Sequence, residues 1–225
     1  MKNNHEHKKI EHLAISRNEY KRGQRAAQTT FELGKMAINF SRINRVPRYP
    51  DGEPENDAEH SFMLALVAPE IAASLELELD SGLMSRYATV HDLVEIKTGD
   101  IATFQISDEQ LHKKAELEHE ALVELSKELP SYTAHTLVEY ESQATPEARF
   151  VRYIDKLLPI VVDIVGDGER VLREDYYVTD QAQLQEKLNT LQDRFEAMFG
   201  GEFPDIDRAH KLLCELLANK LYDED

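Results

Sequence analysis

Four side chains stand out for the chemistry they could do together: His60, the adjacent His91 and Asp92, and Asp155. They fall in the order His, His-Asp, Asp on three separate segments with helical patterning. Two imidazoles and two carboxylates with open positions beside them suit a divalent transition metal such as Mn, Co, Fe, Zn or Ni better than Mg or Ca, which prefer oxygen. A metal so held lowers the pKa of water to about 7 and polarises a phosphoryl oxygen, which are the usual ingredients of phosphoester hydrolysis. Glu95 follows His91 by one helical turn, and Asp100 follows Gly99, where the chain turns and can bring a further carboxylate back. Each residue also has a plainer explanation. A His on an apolar stripe, such as His60, is more often a satisfied core residue. Asp155 could pair with Arg152 or Lys156 as readily as bind a metal. In a chain with nine His, a His-Asp dipeptide by itself proves nothing.

The elements that must position these residues are helical. Leu83, Tyr87, Val90 and Val94 recur at helical spacing around His91, with Ser81 as the cap and Gly99 suited to the left-handed position after the last turn, so His91, Asp92 and Glu95 are expected on one helix. A helix over residues 24–43 carries Phe31, Leu33, Met36, Ile38 and Phe40. The stretch 45–56 holds three prolines and a Gly in twelve residues and is expected to be a loop. A further helix starts near Asp57 or Ala58 and carries His60 in its first turn, with Leu64, Val67 and Ile71 along one side and Pro69 bending it. Residues 108–129 form a charged amphipathic helix with Leu111, Ala115, Leu122, Leu125 and Leu129 facing inward, and another helix spans 131–141. Thr145 caps and Pro146 opens a helix with Phe150, Val151, Ile154, Leu157 and Leu158 on its buried side and Asp155 among them. Helices near 180–199 and 205–221 close the chain. No strand and no repeat is expected, so the fold class is all-α: a single compact multi-helix bundle. Its parts are a polar tail at 1–23, a metal-dependent domain at 24–168, and C-terminal helices at 169–225 packing on the same domain.

Composition narrows the function. The chain has 225 residues, 41% hydrophobic and 31% charged, in the range of a folded domain. Residues 1–50 hold 11 Lys and Arg against 4 Asp and Glu, whereas the remainder holds 15 against 39. A body so acidic repels long polyanions, so nucleic acid is excluded as a partner, while a small phosphate ester can still be held by a local cation. The single Cys214 excludes an intrachain disulfide, and no apolar run is long enough to span a membrane, which makes the cytoplasm the expected compartment. His5, His7 and His12 fall in the polar tail and are given no function.

Four ordered blocks carry a resemblance: Ile43-Asn-Arg-Val-Pro47, Glu55-Asn-Asp-Ala-Glu-His-Ser61, His91-Asp-Leu-Val-Glu-Ile-Lys-Thr-Gly-Asp-Ile101 and Phe150-Val-Arg-Tyr-Ile-Asp155. Over about Ile43 to Asp167 the chain resembles the HD-domain phosphohydrolases, and within them the bacterial 5′-deoxynucleotidases and their eukaryotic HD-domain-containing relatives. The resemblance implies that His60, His91, Asp92 and Asp155 bind one divalent transition metal, and that Glu95 and Asp100 handle the attacking water and the leaving group. It places Arg45 on the phosphate-orienting arginine and the Asp100-Ile101-Ala102-Thr103 turn against the substrate, a nucleoside 5′-monophosphate or similar small phosphomonoester. The family's habit suggests a homodimer. Two departures bear on specificity. Val46 stands where the deoxynucleotidases have Trp, so the sugar end of the pocket should differ. Ile96 follows Glu95 where enzymes acting on guanosine tetraphosphate carry an acidic pair, so that activity is disfavoured. Two alternatives remain: a two-metal phosphodiesterase or oxygenase drawing extra ligands from His112, His119 or His135, and a non-catalytic helical module that keeps a metal for stability. Glu95 and Asp100 argue against the second, because a scaffold has no need of unligated carboxylates beside a metal.

Overall fold

A computed structural model describes residues 17–102, 104 and 107–222 of the chain. It divides into one unit up to Met36 and a second from Ala37 onward. The described part of the first unit lies wholly in helix α1 (Arg17–Phe40), which starts earlier and ends sooner than its apolar pattern suggests. Residues 17–23 of the expected tail are therefore helical, while His5, His7 and His12 lie outside the described residues. Everything that follows concerns the second unit.

The proline-rich stretch is a two-stranded antiparallel hairpin and not an irregular loop. β1 (Asn44–Arg48) pairs with β2 (Pro54–Asn56), Asn44 opposite Asn56 and Arg48 opposite Pro54. The breakers that argued for a loop sit where a hairpin tolerates them. Pro54 is the first residue of its strand, and Gly52 takes φ +86° in the connecting turn, where its N–H donates to the Tyr49 carbonyl (2.9 Å). The hairpin is pinned from behind by Gly166 and Asp167. The Asp167 N–H donates to the Arg48 carbonyl (3.1 Å), and a Cβ on Gly166 would lie 1.9 Å from that same oxygen, so only glycine permits the approach.

α2 (Asp57–Ser74) starts on a capping box: the Asn56 side chain accepts from the N–H groups of Ala58 and Glu59, and the Asn56 N–H donates to Glu59 Oε2. That box fixes the first turn, which carries Asp57 and His60. α3 (Ser81–Val90) is capped by Asp80, whose side chain accepts from the Leu83 N–H at 2.9 Å, and not by Ser81. It stops at Val90. The residues from His91 to Val94 form tight turns, with the Leu93 N–H on the Val90 carbonyl and the Glu95 N–H on the Asp92 carbonyl, before α4 (Glu95–Thr98). The expected single helix is thus two, and Gly99 leaves α4 at φ 71°, ψ 161°, a positive φ with an extended ψ.

α5 (Asp108–Glu128) and α6 (Ser131–Glu141) pack on each other; Ala121 and Leu125 are the buried residues of α5, while Ala115, expected inward, is exposed. α7 (Pro146–Asp155) has Thr145 as its cap and Pro146 at its first position, and α8 (Leu158–Val165) follows directly. α9 (Gly168–Arg170) runs into a π-helical turn over Val171–Asp175, then α10 (Gln181–Phe199) and α11 (Pro204–Tyr222) complete the chain. Phe150, Val151, Tyr153 and Ile154 of α7 lie in one core with Leu64 of α2, Met84 and Tyr87 of α3, Phe195 of α10 and Ile206 of α11. Each large side chain so buried contributes roughly 1.5–3 kcal/mol. This helical body with its small hairpin is an all-α fold that holds α2, the turn after α3 and the end of α7 rigidly around one point.

Candidate metal centre

At that point the first turn of α2, the turn after α3 and the last residue of α7 converge. One donor atom each from His60, His91, Asp92 and Asp155 lies within 4.8 Å of the others. His60 is fully buried, with Nε2 2.8 Å from Asp155 Oδ1 and Nδ1 3.5 Å from Glu55 Oε2 on β2. His91 is buried as well. Its Nδ1 lies 2.9 Å from the Ala88 carbonyl, an acceptor only, so Nδ1 carries the proton and donates. Nε2 then faces Asp92 Oδ2 at 2.9 Å and Asp155 Oδ1 at 3.7 Å, without alignment for a hydrogen bond to either. His91 therefore has its second nitrogen held by an oxygen from behind, the arrangement that orients a metal-binding His, while His60 Nδ1 faces Glu55 without a hydrogen bond.

Asp155 divides its two oxygens. Oδ1 meets the imidazoles and Oδ2 accepts from Lys156 Nζ at 2.7 Å, so the expected salt bridge with Lys156 occupies one oxygen and leaves the other facing the donor group, while Arg152 turns away to Glu141 (3.3 Å). Burial opposes its charge, but Lys156 and the histidines hold its carboxyl well below the usual range. Burial likewise opposes the Asp92 charge, and His91 with Arg45 outweighs it, leaving that carboxyl low. Burial disfavours protonation of His91, yet Asp92 and Asp155 push its pKa up to about 10.

Arg45 reaches in from β1. Its NH1 donates to Asp92 Oδ2 (2.9 Å) and Asp57 Oδ1 (3.4 Å), and its Nε lies 3.3 Å from Glu55 Oε2. Burial works against this guanidinium, but Asp92, Asp100, Asp155 and Glu95 raise its pKa above the ordinary value. Glu95 is buried, and burial followed by the charges of Asp92, Asp100 and Asp57 pushes its carboxyl up to about 10. Asp100 is half-buried and raised by burial, against the pull of Arg45 and Lys114. Val46, Ile101 and Ala102 are half-buried, and Thr103 lies outside the described residues.

Glu55, Asp57 and Lys114 join the site without having been singled out from sequence. Asp57 is fully buried, forms a second close carboxylate group with Asp92 and Glu95, and is raised to about 6 by burial and Asp92. Glu55 and Asp57 flank the capping Asn56, and a carboxylate on each side of a helix cap that leads into a His was the available signal. His112, His119 and His135 are exposed and join no donor cluster among the described residues.

The surplus of carboxylates leaves polar atoms stranded. Among the described residues His91 Nε2, Asp57 Oδ2, Glu95 Oε2 and both Glu55 oxygens are buried without a hydrogen-bond partner. Such atoms are costly, and a cation with mixed nitrogen and oxygen coordination would satisfy His91 Nε2, which lies in the donor group; Glu55 lies outside it, behind His60. The residues present thus fit a divalent metal. What the arrangement can do is bind a dication, hold an anion on Arg45, and move protons through Glu95.

A model of the HD-domain family matches residues 41–199. A 5′-deoxynucleotidase HDDC2 of Xenopus laevis is 32% identical over 142 residues, covering 58% of this chain and 69% of the relative. The human 5′-deoxynucleotidase HDDC2 is 29% identical over 169 residues, covering 71% and 72%. Among solved structures, a predicted metal-dependent phosphohydrolase of Magnetospirillum magnetotacticum superposes with TM-score 0.66 at 26% identity, over 92% of this chain and 97% of that one. The cyanophage S-2L HD phosphohydrolase DatZ, bound to dA and one catalytic Zn2+ ion, shares the fold with TM-score 0.52 at 19% identity, over 83% and 96%. With the family match spanning most of the second unit and the His, His-Asp, Asp set gathered inside it, the chain belongs to the HD-domain family.

Proposed function

We propose that this chain is a metal-dependent phosphohydrolase that releases phosphate from nucleoside 5′-monophosphates, with one divalent transition metal held by His60, His91, Asp92 and Asp155. The observation that carries the proposal is the convergence of those four donors within 4.8 Å around a buried, unpartnered His91 Nε2. The relatives named as 5′-deoxynucleotidases support the substrate class. Bound there, a dication supplies Lewis acidity to a phosphoryl oxygen and to water.

The chain's own residues do the rest. Glu95 takes the proton of the attacking water. Its carboxyl, pushed up to about 10 partly by Asp92, becomes a usable base once the Asp92 charge is offset. Asp100, raised by burial, returns a proton to the leaving 5′-oxygen. Arg45 offers a planar fork of donors to the phosphate and exchanges part of its carboxylate contacts for it. Ile101 and Ala102 complete the substrate side. Val46 leaves the sugar end wide, and shape alone separates substrates that differ by a hydroxyl by only about 1–3 kcal/mol.

A two-metal centre is the second reading, favoured by the closeness of Asp57, Asp92 and Glu95. Arg45 places a fixed positive charge 3.4 Å from Asp57 and 2.9 Å from Asp92, which weighs towards one ion. For the setting we infer a homodimer in the cytoplasm. Supports are the buried free thiol of Cys214 and the exposure of Phe62 (71%) and Leu66 (59%) one turn apart on α2, a patch suited to a second copy. No helix among the described residues is long and apolar enough to cross a membrane.

The test is a panel of phosphomonoesters with Mn, Co or Mg added, including dAMP and AMP in parallel. Phosphate release should require added metal, and kcat/KM for dAMP and AMP should differ by less than roughly tenfold. No release from any nucleoside monophosphate would remove the nucleotidase proposal. A ratio above about a hundredfold would mean that another side chain, such as the half-buried Tyr49, closes the sugar end.

A further inference from the structure

Lys114 sits on a charged, solvated helix, yet its side chain is 13% exposed, while its neighbours His112 and Lys113 are exposed. Its ammonium donates to the Ile101 carbonyl at 2.8 Å and lies 3.8 Å from Glu95 Oε1 and 3.3 Å from Glu118 Oε1. We propose that Lys114 is a positioning residue, the point at which α5 fastens both the Asp100-Ile101 segment and the Glu95 carboxylate. The proposal rests on the hydrolytic role given to Glu95 and Asp100 above.

The local structure shows why such a fastening is needed. Gly99 directs the chain out of α4 with an extended ψ, and residues 100–102 that follow have no regular secondary structure. A segment of that kind has no hydrogen-bond ladder to fix it, and here it carries a carboxylate that must stay within reach of a leaving group. One ammonium with three donors can hold a carbonyl and two carboxylates at once, which a neutral side chain of similar length cannot. The contact also orders Glu95. Oε1 faces the ammonium, while Oε2 is buried and without a hydrogen-bond partner. The ion pair thereby selects which oxygen remains available to accept a proton. Lys97 offers the contrast: it joins α4 to Glu124 and Glu128 of the same α5 at the surface, with both partners more than half exposed, and touches nothing in the site.

Misplacing a reacting group by about 1 Å can cost on the order of a hundredfold in rate. Lys114→Met and Lys114→Arg, compared in the metal-loaded full-length protein with dAMP as substrate, test the proposal. Lys114→Met should lower kcat at least about tenfold while KM stays within roughly threefold, with metal content per chain unchanged. Lys114→Arg, which keeps the charge, should recover kcat to within about threefold of wild type. Amide hydrogen exchange of a peptide covering residues 99–102 should speed up in the Met variant only. A Met variant within twofold of wild-type kcat, or Met and Arg variants impaired alike, would overturn the proposal. If wild type itself hydrolyses no nucleotide, hydrogen exchange decides alone, and unchanged exchange at 99–102 in Lys114→Met would overturn the fastening whatever the reaction.

Discussion

Helix α7 serves two regions of opposite character. On its core side Tyr153 packs on Phe199 and Phe203 with ring centroids 4.1 and 5.2 Å apart, Phe150 meets Phe203 at 5.0 Å, and the Tyr153 hydroxyl donates to the Phe199 carbonyl. Ring packing holds that side together, although Asp207 Oδ1 and His210 Nε2 at its border are also buried without a partner. One residue beyond Ile154, Asp155 enters a pocket where Glu55, Asp57, Glu95 and His91 retain buried atoms without hydrogen bonds. The core side is held by apolar packing. The pocket is held by charge, and it gathers more carboxylates than positive groups: Glu55, Asp57, Asp92, Glu95 and Asp155 against Arg45 and Lys156. Strain of that sort is kept where a ligand relieves it and where surrounding packing over-determines the geometry. The apolar half of α7 is thus what allows Asp155 to be held among carboxylates.

Substitutions should separate the two regions. Glu95→Gln keeps the shape of a proton-transfer group and removes its function, so kcat for phosphate release should fall on the order of 100-fold or more with metal content unchanged. The same change should leave stability equal or higher at pH 8. The raised carboxyl of Glu95 contributes least to stability at high pH, since the folded protein must then either hold a proton that the unfolded chain has lost or bury the charge. Metal analysis, steady-state kinetics and thermal melting check the three parts, and joint loss of metal would make Glu95 a ligand instead.

Phe150→Ala should do the reverse, costing about 3–5 kcal/mol of stability through the cavity left in the aromatic cluster. Denaturant titration measures it, and the folded fraction should retain wild-type kcat, since Phe150 contacts no site residue in the aromatic cluster it fills. A smaller effect belongs to Asp163 of α8, a carboxyl that burial and Glu55 push up to about 7, with one oxygen unpartnered. Because its folded pKa lies above the unfolded value, stability falls as pH rises from about 4 through 7. Asp163→Asn should flatten that slope and raise stability at pH 8 by roughly 2 kcal/mol, with little change at pH 4. Melting curves across that range are the check, and parallel pH profiles for the two proteins would assign the slope to other groups.

The division between what the sequence disclosed and what it hid follows the same contrast. Apolar periodicity marked α2, α3, α5, α6 and α7, because each buries a stripe against its neighbours. It ran without interruption through His91 to Val94, since a pair of tight turns keeps nearly the helical direction, and so the break between α3 and α4 went unseen. The hairpin was hidden by its prolines and glycine, which are tolerated on a two-stranded edge that pairs only with itself. The four ordered blocks located His60, His91, Asp92 and Asp155, whose convergence the fold then provides. Glu55, Asp57 and Lys114 could not be weighed in the same way. Their importance lies in contacts that the fold makes, Glu55 and Asp57 with Arg45 of β1 and Lys114 of α5 with the segment after Gly99, and a lysine on a solvated helix looks the same in sequence whether it points outward or into a pocket.

The proposed hydrolysis requires one dication among the carboxylates of the pocket. Chelator-treated protein dialysed against Mn2+ should take up one equivalent per chain by elemental analysis, Asp92→Ala should take up none while remaining folded, and phosphate release from dAMP should rise in proportion to occupancy. Full occupancy in Asp92→Ala, or undiminished hydrolysis by the metal-free wild type, would contradict it.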